Sequence, residues 1–220
     1  MIHHLNIYVH VAAGTIALAL GVIILLRRKA TRFHRQAGQV FVGLLAIVTA
    51  TGFIGWLFFR SNAFLLMLTL LAGYNTFSGY RVVKSKHHLP APVDLVVASV
   101  TLSAGMAYLF YLMNADRNWS PSVIYPTLSG IVLVTSYDIL KILVFHFKVS
   151  GWWVYEHIYK IISSFSALLS AFVGTILPDF KPYSQIGPSA FCILLIFAFI
   201  LQETRKASLK SRSVLTNNPG

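Results

Sequence analysis

Seven apolar runs follow one another through this chain, each near the roughly 20 residues that a helix needs to cross a hydrocarbon core. They cover about 6–26, 37–59, 63–83, 93–113, 122–146, 155–177 and 186–202. Lipid supplies no water to backbone N–H and C=O groups, so a run of this kind satisfies them internally, as an α-helix. The chain therefore reads as all-α, a polytopic membrane protein with seven transmembrane helices in one domain, 1–204. A short basic tail, 205–220, follows and is too polar to fold alone, so it is expected to be disordered.

Composition agrees with this class and removes others. With 56% hydrophobic residues, 11% charged residues and a mean hydropathy of +0.70, the chain is too apolar for a water-soluble domain of its length. A net charge of +12 would fit nucleic acid only if the basic residues gathered on one wet surface. They lie instead in short loops between the apolar runs, so no nucleic-acid partner is expected. The expected partners are membrane lipids, a small ligand or ion, and further copies in an oligomer. Cys192 is the single cysteine and falls in the last run, which excludes a disulfide framework and a cysteine metal cluster. Met1-Ile2-His3-His4 carries no basic region or cleavage site before a full-length run, so no signal peptide is read.

Lys and Arg give the orientation. Thirteen of them fall on one side of the alternating runs: Arg27, Arg28, Lys29, Arg32 and Arg35, then Arg81, Lys84 and Lys86, then Lys148, then Arg205, Lys206, Lys210 and Arg212. Three, Arg60, Arg117 and Lys181, fall on the other. The positive-inside rule then puts the N-terminus outside and the C-terminus in the cytoplasm. Trp56 and Trp119 are expected at the outer interface and Trp152-Trp153 at the inner one.

Inside this frame the ionisable residues stand out, because a charge at membrane depth costs several kcal/mol unless it pairs or meets water. Val134-Thr135-Ser136-Tyr137-Asp138-Ile139-Leu140-Lys141 places an acid and a base three residues apart on one helical face, where they can neutralise each other. Asp138 would lie about 12 Å from the cytoplasmic end at 1.5 Å per residue. The sixth run opens with Glu156, His157 and Lys160, of which Glu156 and Lys160 form an ordinary i,i+4 pair. The inner half of the third run crowds Tyr74, Asn75, Tyr80 and Arg81, and Asp94 starts the fourth, where a carboxylate suits the positive end of the helix dipole. His34 sits at the inner interface. His10, beside the small stripe Gly14, Ala17 and Gly21, reads as an interhelical hydrogen-bonding group in the outer half.

These residues gather in the cytoplasmic half and leave four readings open. The first is a polar intramembrane site facing the cytoplasm that binds or transports a small ligand, a proton or a cation, built from Asp138, Lys141, His157, Tyr74, Asn75, Tyr80 and Arg81, with His10, Asp94 and Lys160 as further candidates. No internal repeat or matching pair of broken helices accompanies it. The second is a zinc enzyme with His34, His157 and Asp138 as ligands; no HExxH-like motif supports it, and the loop pair His87-His88 is read as solvated. The third is a b-type haem electron carrier with His34 and His157 as axial ligands. The fourth is a structural or assembly subunit whose polar groups only tie helices together. Whether the chain is an enzyme stays undecided at this level.

The first hairpin, His10-x-x-x-Gly14-x-x-Ala17-Leu18-x-x-Gly21 followed by His34-Arg35-x-x-Gly38, resembles a family of uncharacterised bacterial polytopic membrane proteins. Ser78-Gly79-Tyr80-Arg81 and His157-Ile158 extend the likeness over most of the chain. After His157 the family pattern would have a basic residue and a methionine, where this chain has Tyr159-Lys160, leaving Lys160 as the basic substitute. The resemblance implies a multi-pass protein of the bacterial inner (plasma) membrane and brings no activity with it.

Overall fold

A computed structural model describes residues 1–27, 29–59, 63–85, 91–114, 121–145 and 152–216. Arg28, Arg60, Lys86, His87, His88, Arg117, Trp119 and Lys148 of the sequence reading lie outside them. The described residues form seven long helices and no strand: α1 (Ile2–Leu26), α2 (Arg32–Phe59), α3 (Ala63–Lys84), α4 (Pro92–Asn114), α5 (Pro121–Leu140), α6 (Trp152–Ile176) and α7 (Tyr183–Thr216). α5 widens at its end into a π-helical turn, Lys141–Phe145, and a short 3-10 turn, Pro178–Phe180, precedes α7. Six of the seven are long and apolar enough to cross a membrane; α3, whose second half is polar, is not among these six.

That polarity has a packing reason. α3 touches α2, α4, α5 and α6, so little of it is left to face outward. A helix surrounded by other helices can carry polar groups that find partners across its interfaces. α6 is the second central element and touches α1, α3 and α7. The outward faces of the surrounding helices are apolar instead, with Val11, Ile16, Val100, Phe110, Leu133 and Leu194 among the exposed large side chains. Around α6, one core joins Ala17 and Leu18 of α1, Phe41 and Leu45 of α2, Phe165 and Leu168 of α6, and Cys192 of α7. Around α3, a second joins Met67 and Leu68 with Leu112 of α4, Ile124 and Ile131 of α5, and Ala167 of α6.

Helix ends differ from the apolar runs. α2 begins at Arg32, where the Thr31 hydroxyl accepts from the His34 N–H at 3.1 Å, a side-chain cap that extends the helix into the basic loop. α7 continues without a break through the basic segment to Thr216. Once the apolar part has formed the helix, each further residue adds a hydrogen bond without a new nucleus, and Gln, Glu, Arg, Lys and Ala propagate it well. Lys29 caps the C-terminal end of α1, its Nζ donating to the carbonyls of Ile24 and Leu25 at 2.7 and 2.8 Å while lying over the Phe199 ring of α7. Partial burial, with Lys206 nearby, holds its pKa below the usual lysine value.

Candidate functional site

The chemistry of the described residues concentrates where α3, α5 and α6 meet. α3 and α6 come together at Gly79, where an added Cβ would stand 3.0 Å from the Lys160 Cβ. This close approach brings Lys160, 1% exposed, against Asp138, 7% exposed, from α5. The ammonium donates to both carboxylate oxygens, at 2.7 and 2.9 Å, and to the Ser78 hydroxyl at 2.8 Å. Ser78 donates in turn to Asp138 Oδ2 at 2.8 Å, and the Tyr74 hydroxyl to the same oxygen at 2.6 Å. Asp138 thus accepts from three side chains on two neighbouring helices. A buried ion pair survives only when its remaining donors and acceptors are met in this way.

The network continues toward the end of the bundle that carries Lys141. Lys160 Nζ lies 3.6 Å from Glu156 Oε2, one turn away on α6. Glu156 accepts from Lys141 with both oxygens at 2.7 Å and from the Tyr137 hydroxyl at 3.0 Å. Two carboxylates and two ammonium groups balance, and they run from a fully enclosed lysine to Lys141, whose side chain is 30% exposed.

The pairing differs from the one that spacing predicts. Asp138 and Lys141 are not the ion pair; each reaches to α6, Asp138 to Lys160 and Lys141 to Glu156. The Asp138 oxygens are already taken by Lys160, Ser78 and Tyr74, and Lys141 has both oxygens of Glu156 within reach. Glu156 and Lys160 do approach each other within α6, as the longer contact of Lys160. Ser78, Tyr137 and Glu156 complete the network without having been singled out as site residues. For Glu156 a signal existed: two acid and base pairs on consecutive helices at similar depth can exchange partners.

The other candidates fall elsewhere. His157 Nδ1 faces the Gly79 carbonyl at 3.1 Å; a carbonyl only accepts, so this nitrogen carries a proton and donates it. His34 Nδ1 is enclosed and has no hydrogen-bond partner, and the two imidazoles are near enough to interact electrostatically. They do not join Asp138 in a ligand set, and among the described residues no three His, Cys, Asp or Glu side chains are grouped to hold a metal. Tyr80 stands apart, under the Lys84 ammonium at 4.9 Å. His10 lies toward the other end of the bundle, 2.8 Å from the Thr51 hydroxyl of α2, with Asn6 donating to the Thr51 carbonyl at 3.1 Å.

Arg81 and Asp94 form a separate, two-pronged bridge between α3 and α4, with distances of 2.7 and 3.0 Å, and Asp94 also accepts from the Ala91 N–H at 2.8 Å. A lysine cannot reproduce two parallel N–H donors. Arg81→Lys is therefore expected to lower stability by about 0.5–1 kcal/mol, the range of a partly exposed pair, with the network around Asp138 left intact. Thermal unfolding in detergent checks this; an unchanged midpoint would show that the fork contributes nothing.

Comparison with protein-family models, with curated proteins and with solved structures finds no match to this chain. The likeness noted for the first hairpin accordingly rests on its motifs alone.

Proposed function

We propose that this chain is an integral protein of the bacterial inner membrane that spans it with all seven helices, N-terminus outside and C-terminus cytoplasmic, and that it binds and passes protons through the Asp138–Lys160–Glu156–Lys141 network. The excess of Lys and Arg on the α1–α2, α3–α4, α5–α6 and C-terminal side supports the orientation. α3 crosses despite its polarity because its neighbours cover it.

The observation that carries the proton reading is the position of Lys160 between two buried carboxylates, at 2.7 Å from Asp138 and 3.6 Å from Glu156. When Asp138 takes up a proton, its hold on the ammonium weakens and Glu156 becomes the stronger partner. Lys160 then shifts along α6, and Glu156 loosens its grip on Lys141 at the partly exposed end. A proton at one end is in this way felt at the other, as proton-linked carriers require of intramembrane acid and base pairs. The zinc reading draws no support from the arrangement, because Asp138 spends its oxygens on Lys160, Tyr74 and Ser78 and does not join His34 and His157 in a ligand set.

The saturation of Asp138 also favours a second reading, a structural clamp joining α3, α5 and α6. Proton flux separates the two. Purified protein in vesicles loaded with a pH-sensitive dye is expected to raise proton permeability above that of empty vesicles, and Asp138→Asn, which keeps the shape and loses the titrating group, to return it to the empty level. Wild-type vesicles no leakier than empty ones, or an Asp138→Asn protein as active as wild type, would leave the clamp.

A further inference from the structure

We infer that the buried polar layer holds a water molecule on Asn75 Oδ1, and that this hydrated layer opens only toward the end of the bundle carrying Lys141.

Asn75 lies on α3 and is 0% exposed. Its Nδ2 donates to the Leu71 carbonyl, one turn back, at 3.0 Å. That bond fixes which way the amide is turned, because a carbonyl can accept only from the NH2 group. Oδ1 is then held on the opposite side, buried and without a partner. An acceptor left in this condition is costly, and native proteins commonly meet it with an ordered water.

The surroundings suit water rather than an apolar occupant. On α3, Asn75 stands between Tyr74, which donates to Asp138, and Thr76, which donates to the Ser164 hydroxyl of α6 at 3.0 Å. Thr135 of α5 is also 0% exposed. Away from Lys141 the space between α3, α4, α5 and α6 turns apolar: Met67, Leu112, Ile124, Ile131 and Ala167 close it, each 2% exposed or less, while the buried serines beyond, Ser166 and Ser170, face Ser189 of α7. Toward Lys141 it continues through Lys160 and Glu156 to a side chain that is 30% exposed. A continuous polar route on one side and an apolar plug on the other make the layer reachable from one end. This deepens the proton reading, to which it adds a one-sided entry, but it is tested by accessibility rather than by flux.

The test uses the full chain with its one cysteine replaced, Cys192→Ala, and a new one introduced as Asn75→Cys. Silver ion, a thiol reagent small enough for a water-sized site, is applied to oriented vesicles from one face and then the other, and the thiol left unreacted is counted after unfolding. Thiolate forms only where water reaches, so reaction is expected about tenfold or more faster from the Lys141 face. Ile131→Cys, in the plug, is expected to stay unreacted from both faces. Ser78→Cys, expected to react from the Lys141 face as well, keeps the test decisive if Asn75→Cys does not fold. A protected thiol in the polar layer, equal reaction from both faces, or a reactive Ile131→Cys would overturn the inference. Accessibility without proton flux would uphold the water and remove the carrier; flux with a protected thiol would do the reverse.

Discussion

Lys160→Met is expected to cost about 3–5 kcal/mol of stability, the range found when one partner of a buried ion pair is removed and the other stays charged and enclosed. Methionine fits the space left by the lysine stem, so the loss arises from Asp138, which keeps its Tyr74 and Ser78 donors but has no cation. Glu156 is spared, since Lys141 holds both of its oxygens. The consequence is specific. Adding Asp138→Leu to Lys160→Met should recover most of the loss, because removing both members of a buried pair leaves no uncompensated charge. The measurement is denaturant or thermal unfolding of the four proteins of this cycle in detergent. A Lys160→Met protein that melts with wild type, or a double variant no better than the single, would show that the pair is not coupled as the distances indicate.

Outside the network, Gly21→Val is expected to be damaging, at about 1–3 kcal/mol. A Cβ at this position of α1 would stand 2.6 Å from Phe165 Cδ2 on α6 and 3.2 Å from Phe41 Cε2 on α2. Neither ring has room to retreat, since Phe165 is 4% exposed and Phe41 2%, both inside the core that joins four helices. The glycine is there for contact distance, as small residues between membrane helices generally are. Gly38→Ala is the control: no heavy atom lies within 4 Å of its added Cβ, and alanine is the better helix former. The first variant should melt earlier than wild type and the second should not. Equal midpoints for the two would mean that α1 does not need this close approach.

The contrast between these glycines shows how far a motif can be read without its neighbours. Gly21 and Gly38 belong to the same motif in the first hairpin, and nothing in their spacing tells them apart. One meets two aromatic rings and the other meets open space, a difference that depends on how α1, α2 and α6 are turned about their axes. Asp138 and Lys160 were both visible as ionisable groups in apolar runs, as were Lys141 and Glu156. Their partners were not. Spacing along one helix paired Asp138 with Lys141 and Glu156 with Lys160; packing between helices connected Asp138 to Lys160 and Lys141 to Glu156. Ser78 was harder still, because the short hydroxyl of a Ser or Thr in a helix bonds equally well to its own backbone, as Thr76 and Thr135 do here.

By itself the sequence determined that the described residues form seven long helices and at what depth along each helix its charges stand. Both follow from local physics: a backbone in an apolar environment must close its hydrogen bonds within the segment, and the rise per residue then places every side chain along the axis. Only the tertiary structure decided that α3 and α6 form the centre, that a plug of apolar side chains lies on one side of the polar layer, and which carboxylate holds which ammonium. Those outcomes depend on the rotation and neighbours of each helix, which are set by side-chain packing between segments far apart in the chain and leave no periodic trace in any one of them.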